Sequence, residues 1–339
     1  MFRLLTGSRP RVPGLPADEQ IEMRVEQVRA LLTDFKQAEH SQRESTRGHP
    51  VGQRRPFERK LLNGSLSSRL ASVKQLEVNE HLLDSKQAAS AKQFESQSDR
   101  YGKSHILANT EDLDMAMKGI APPAGGTALD VGTGGGHAAL WLARHGWKVM
   151  AGDIAPRMLK NAALLCAEAG LTIETRLFPA EKMPFEAGSY DLVTARVGPH
   201  HFSSPEQFIG EVARVLKPGG HFLLIDGSVP DNDSRTAEWL HHVERLRDPS
   251  HVRFLSPKAW EALVHGAGLT VEHSELQPYK QPDLQWYFET AATPTINREQ
   301  VMGAVGGAHN HVRAALRIRN ERGKIVWWLP RLTLLASKP

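Results

Sequence analysis

Cysteine is nearly absent. Cys166 stands alone among 339 residues, so no disulfide can form within the chain. It falls in an apolar helical pattern and reads as a small buried hydrophobe rather than a nucleophile. A reducing, cytoplasmic setting is the expectation. No apolar run approaches the ~18–20 residues of a membrane span, so none is expected. None of the sixteen histidines has zinc spacing to cysteines. His241 with His242, and His309 with His311, read as solvated or packed side chains, and no metal is expected. No Gly-x-Ser-x-Gly elbow, Ser-His-Asp order or Walker phosphate loop occurs, which removes the usual signs of hydrolase and P-loop chemistry. A basic surface is missing too. Residues 1–90 hold 15 Lys/Arg against 11 Asp/Glu, which accounts for the whole net charge of +4 and leaves 27 against 27 beyond them. A phosphate-binding face needs clustered positive charge, so no nucleic-acid partner is expected.

What the chain has in excess is glycine in one place. In Thr127-Ala-Leu-Asp-Val-Gly-Thr-Gly-Gly-Gly-His137, four glycines occupy five positions: Gly132, Gly134, Gly135 and Gly136. A small apolar strand precedes them and an amphipathic helix follows, the opening of a nucleotide-binding βα unit. Asp130 lies two residues before the first glycine. A dinucleotide pyrophosphate would lie over this turn and has no use for an acid there; a ligand with a positively charged amino acid end does. His137 also occupies the third glycine of G-x-G-x-x-G. Asp153 ends the next strand, 21 residues after Gly132. A carboxylate there suits a ribose diol, or alternatively the start of the helix from Pro156.

Residues 1–87 read as a separate extension, helical over 19–38 and disordered over 40–60. Its opening has no acid before Asp18, a transit-peptide trait, yet reads as a solvated tail. The folded domain is expected over 88–339, starting with a helix and a lid-like segment through residue 105. From residue 127 strands and helices alternate. Strands are read at 127–132, 147–153, 171–178, 189–195, 221–226 and 269–277, and a broken pair of apolar stretches, interrupted at Pro330, closes the chain. Short βα links imply a parallel, doubly wound α/β sheet. Two insertions, 228–255 and 280–319, follow strand ends where such sheets bind ligands, and are expected to be helical caps.

Four stretches carry a family resemblance. Leu129-Asp-Val-Gly-Thr-Gly-Gly-Gly136 resembles the first motif of the class I S-adenosylmethionine (SAM)-dependent methyltransferases. Phe178-Pro-Ala-Glu-Lys-Met-Pro-Phe185 resembles their adenine-contacting segment, though Pro179 stands where an acid is usual. Residues 190–202 resemble the fourth motif. Glu211-Val-Ala-Arg-Val-Leu-Lys-Pro-Gly-Gly220 resembles the ubiquinone/menaquinone-type subgroup almost residue for residue. The resemblance covers residues 90–280 well, 281–339 loosely and 1–90 not at all. It implies a Rossmann-like seven-stranded sheet in the order 3-2-1-4-5-7-6. It also implies methyl transfer from SAM to a small-molecule acceptor by an SN2 displacement. The cofactor set so implied is Asp130, Gly132, Thr133, Gly134 and Gly136 at the amino acid end and Asp153 at the ribose. Ile154, Ala180 and Glu181 would meet the adenine, with Ala195 and Arg196 beside the methionine portion. His200 and His201 are the candidates for the acceptor side, against a plain packing role. The competing readings are a non-catalytic SAM-binding subunit, a protein or RNA methyltransferase, and an NAD-dependent oxidoreductase.

Overall fold

The computed structural model describes residues 83–101 and 105–339. They fall within one compact unit, residues 74–339. The expected helix over 19–38 and the disorder over 40–60 lie outside the described residues. Helix α1 (Ser85–Tyr101) crosses the expected domain start at residue 88, and α2 (His105–Ala108) and α3 (Glu111–Ala116) lead to the sheet.

The sheet segment then alternates: β1 (Thr127–Val131), α4 (His137–Arg144), β2 (Lys148–Asp153), α5 (Pro156–Glu168), β3 (Glu174–Leu177), β4 (Tyr190–Arg196), α6 (Pro205–Val215) and β5 (Leu216–Gly227). After β5 come α7 (Ser234–Arg247), α8 (Pro257–Gly266) and β6 (Thr270–Lys280). Helices α9 (Leu284–Thr290), α10 (Thr295–Gly306) and α11 (Asn310–Ala315) follow. A hairpin of β7 (Arg319–Glu321) and β8 (Lys324–Val326) precedes the last strand, β9 (Trp328–Ser337). Seven strands form one sheet in the order β3-β2-β1-β4-β5-β9-β6. The strands from β3 to β5 run parallel, and β9 is antiparallel to both neighbours. With the separate hairpin set aside, this is the expected 3-2-1-4-5-7-6 order.

The inner strands are apolar on both sides because both faces are covered. Leu129, Val193 and Leu224 enter one core with Phe208, Val212 and Trp260. Their neighbours Ala128, Leu192 and Leu223 enter the other, with Leu142 and Val149. Successive strand residues point to opposite faces, so each strand feeds both cores. The helix starts are local. Ser204 accepts from Gln207 N and Pro205 takes the first helical position of α6, as its sequence predicts. Asp191 is structural, taking the Thr127 N–H and the Lys217 ammonium, each at 2.8 Å.

Lys217-Pro-Gly-Gly220 and Pro330 both lie inside strands. The first is in β5, where the register to β4 shifts between Tyr190 and Leu192. Gly219 takes φ +75° there and donates to Lys338 O, so the turn is a strand irregularity that β9 continues to pair. Pro330 does not interrupt the last strand either. It faces Pro278 of β6, and its carbonyl accepts from Ser228 N just past the end of β5. Its missing N–H thus falls where the ladder to β5 runs out.

The two insertions share a third core. Leu240 and Val243 of α7 pack with Tyr287, Phe288, Val301, Val305 and Val312 from α9, α10 and α11, and with Trp327. One cap layer is therefore made from two separate stretches of chain. Among the described residues no helix is long and apolar enough to cross a membrane.

Candidate active site

A cleft lies over the C-terminal ends of β1, β2 and β4. It encloses about 920 Å³ of non-atom space, part of it open to solvent. Its lining runs from the glycine turn to the ends of β2 and β4, where open α/β sheets bind nucleotides. Two buried carboxylates shape its floor. Asp130 is 1% exposed; its Oδ2 accepts from Thr133 Oγ1 at 2.7 Å and its Oδ1 from Thr194 Oγ1 at 2.8 Å. Burial raises its pKa, against the pull of both threonines. Asp153 accepts from Gly134 N through Oδ2 and from Ala155 N through Oδ1, each at 2.9 Å. Burial pushes its pKa up to about 6, although these N–H groups favour the charge. The ribose and helix-start readings of Asp153 are compatible. A carboxylate has about four acceptor positions, so backbone donors leave capacity for a ligand hydroxyl.

The glycines divide by role. Gly132, Thr133, Gly134 and Gly135 line the cleft. Gly134 takes φ +52°, and a Cβ there would meet nothing nearer than Gly132 O at 4.0 Å. A ligand can therefore approach its backbone closely. Gly136 does not line the cleft. A Cβ on it would lie 2.5 Å from Ala162 Cα, so its missing side chain is what lets α4 start against α5. Ile154, Ala180 and Glu181 line the far end. The Glu181 carboxylate is a strap. Oε1 accepts from Ser203 N at 2.6 Å and Ser203 Oγ at 3.0 Å, and Oε2 from Gln87 Nε2 of α1 at 2.9 Å. Ala195 is packed in the core and is not a wall residue. Arg196 is one, but its guanidinium is committed to Asp112 at 2.9 Å, Leu107 O at 2.8 Å and Asn109 O at 2.6 Å. It clamps the segment between α2 and α3 to the end of β4.

A second chamber, with about 680 Å³ of non-atom space, opens between sheet and cap. Leu107, Val197 and His201 line both spaces, so they form the partition. Val197 takes φ +53°, an unfavourable conformation for a β-branched residue, and is held by its N–H to Ile225 O at 2.7 Å. Such strain gathers where a site needs a fixed wall. His200 lines only the second chamber. Its Nδ1 lies 2.7 Å from Oδ1 of Asp226, a carboxylate that is 1% exposed. Burial opposes charge on His200, yet Asp226 prevails and its pKa stands above the usual value. His201 differs. Burial, then the neighbouring His200, push its pKa down to about 4, and its Nδ1 meets Ser250 Oγ at 3.1 Å.

Comparison with known proteins decides the family. The methyltransferase domain profile matches residues 129–224. The chain is 31% identical over 235 residues to YcgJ of Bacillus subtilis, an uncharacterized methyltransferase, covering 68% of this chain and 91% of that one. The chain belongs to the class I methyltransferase family. The methyltransferase also superposes on the YcgJ crystal structure with a TM-score of 0.63 at 28% identity, over 69% of this chain and 99% of that one. A ubiquinone biosynthesis O-methyltransferase of Xanthomonas axonopodis pv. citri is 35% identical over 155 residues, 44% of this chain and 65% of that one.

Several wall residues of this methyltransferase escaped sequence reading. Gln87 and Phe94 of α1 line the cleft, and Phe94 meets the His201 ring edge-on at 4.7 Å. The tip of the Phe178 ring abuts Gly152, where a Cβ would fall 2.1 Å from Cζ. No periodicity marks α1 as a roof. Glycine at 152 beside a phenylalanine 26 positions away carries no local signal. Among the described residues, no cluster of three or more His, Cys, Asp or Glu side chains could hold a metal ion.

Proposed function

We propose that this methyltransferase moves the methyl group of SAM to a small molecule held in the second chamber. The observation that carries the reading is the partition. One set of side chains, Leu107, Val197 and His201, separates the cleft over the glycine turn from a smaller aromatic chamber, and a methyl group has only that wall to pass. The residues present fit SAM. Asp153 has acceptor capacity left for a ribose diol, Gly134 leaves its backbone open, and Ile154 offers an apolar face to adenine. Asp130 acts on the amino acid end through Thr133 and through its charge. When bound, SAM supplies an electrophilic methyl carbon, and its transfer leaves S-adenosylhomocysteine.

The chain's own residues align the acceptor and take its proton. Asp226 fixes the Nδ1–H tautomer of His200, which leaves Nε2 as the basic atom and stabilises the imidazolium once formed. As the acceptor atom bonds to the methyl carbon, the proton it loses goes to His200 Nε2. His201 is a poor base with its pKa at about 4; its role is to shape the partition. A buried histidine–carboxylate pair opening on a chamber favours catalysis over the non-catalytic reading. The acid at Asp130 and His137 in place of a glycine disfavour NAD. A chamber enclosed by the cap suits a small acceptor better than a protein or RNA chain.

Calorimetric titration of the full chain with SAM, S-adenosylhomocysteine and NAD tests the cofactor. Both sulfur nucleosides should bind and NAD should give no heat; NAD binding alone would overturn the proposal. With an acceptor in hand, His200→Gln should cut turnover about 100-fold or more, the usual scale of acid–base assistance, while sparing SAM binding. Full turnover in that variant would return His200 to packing.

A further inference from the structure

The second chamber has one positive end that the chain leaves under-neutralised. Arg331 of β9 lies in its wall. The guanidinium sits over the Tyr279 ring, 3.4 Å from its centroid, which holds the planar fork in one orientation. Its carboxylate neighbour is Asp112, whose Oδ2 lies 3.6 Å from Nη1. That same oxygen already takes the shorter 2.9 Å bond from Arg196. One carboxylate therefore serves two guanidiniums, and Arg196 holds the better share. Nε of Arg331 is buried with no hydrogen-bond partner. Burial, helped by the neighbouring Arg196, pulls its pKa down in spite of Tyr279 and Asp112, as expected of a cation short of counter-charge.

The chamber's other ionic groups are engaged. Glu244 accepts from Tyr287 Oη at 2.7 Å and from Arg247 Nη1 at 3.1 Å. Arg247 also donates Nε to Tyr287 O at 3.0 Å and stacks on the Tyr287 ring. Neither Glu244 nor Arg247 offsets Arg331. The remaining wall is broad and apolar, from Phe254, Trp286 and Leu329. A buried unpaired donor in a native structure calls for a partner, and a guanidinium fork matches a planar anionic oxygen pair.

We infer that the acceptor is an organic acid, a flat conjugated body whose carboxylate is bound by Arg331 in the second chamber. The inference rests on that chamber being the acceptor site, and it goes further by naming the acceptor's chemical class. The flat body lies among the aromatic side chains, and the anion lies against the Arg331 guanidinium, which lines the chamber.

The probes are 2-naphthoate and its neutral isostere 2-naphthamide, titrated by ligand-observed NMR into the full chain saturated with S-adenosylhomocysteine. Wild type should bind the acid at least roughly tenfold more tightly than the amide, as a charge-assisted pair requires. Arg331→Gln and Arg331→Met should lose that preference while still binding S-adenosylhomocysteine. Either variant suffices if the other fails to fold. No preference in wild type overturns the inference outright, and so does an unchanged preference in a folded variant. The nucleoside titration is read separately. If S-adenosylhomocysteine fails to bind while the Arg331-dependent preference persists, the cofactor assignment falls and the anion site stands.

Discussion

The raised pKa of Asp153 makes cofactor affinity depend on pH in a range where the ligand itself does not titrate. The cofactor's hydroxyls donate, so they need the carboxylate as acceptor. Protonation takes one acceptor position and replaces it with a donor. With the free-state pKa at about 6, Asp153 is almost fully ionised at about pH 7.5 and roughly one-tenth ionised at about pH 5. Affinity for S-adenosylhomocysteine should therefore fall roughly tenfold between those two conditions, since proton and ligand compete for the same oxygens. The sign follows from which form binds: acid weakens, base restores, and the effect levels off above about pH 7. Calorimetry at three pH values would show it. Asp153→Asn holds the shape but cannot titrate, so its affinity should be lower at neutral pH and nearly flat with pH. A flat profile in wild type, or an undiminished slope in Asp153→Asn, would refute the reasoning. A small residual slope in the variant belongs to Asp130, the other buried acid of the cleft.

Gly136→Ala should destabilise the fold by about 2–5 kcal/mol in urea unfolding. The sum comes from ~1–2 kcal/mol for alanine at positive φ and ~1–3 kcal/mol for overpacking against Ala162, where the new Cβ would lie 2.7 Å from Ala162 Cβ. Gly134→Ala meets open space and should cost about 1–2 kcal/mol; equal losses at both positions would contradict the division of roles. A histidine cluster also ties stability to pH. His251 is 5% exposed, both of its ring nitrogens lack partners, and burial followed by the charges of His200 and His201 hold its pKa far below normal. The pKa values of His201 and His241 are lowered as well. An unfolded chain binds these protons below about pH 6.5 and the folded chain does not. Their stabilisation is complete above that value and is lost on acidification. His200, with its raised pKa, works in the opposite sense: its contribution is present at low pH and is lost as pH rises through its folded value. Asp130 and Asp153, also raised in pKa, act in the same sense as His200, so the histidine cluster is read from a difference between proteins. Between about pH 7.5 and about pH 5 the urea midpoint of His251→Phe should move relative to wild type, in favour of the variant at the acid end, and an identical pH dependence in the two would count against the cluster.

Much of this chain was legible in one dimension because its signals are local. A buried strand, a glycine turn and a helix start follow one another within residues 127–144, and each depends on neighbours a few positions away. Asp130 and Asp153 were legible for the same reason, since each sits at a fixed offset from a strand end. The sheet order followed from the family pattern, with the small hairpin as an addition. Local reading failed where a residue's state depends on a distant partner. Pro330 looked like a break because proline lacks a donor, yet its position past the end of β5 leaves no bond to lose. Four glycines in five positions look alike in sequence. Only the approach of Ala162 separates Gly136 from Gly134.

The site follows the same division. Sequence determined the cleft floor, the fold class and the two histidines at the end of β4. Tertiary structure decided which histidine is basic, because Asp226, 26 residues from His200, reaches only one of them. It also decided that two insertions build one cap core. The strain at Val197 and the unmet charge of Arg331 appeared only there too. These are properties of surfaces brought together from far apart in the chain. Burial and pairing set them, and neither has a period that a sequence can display.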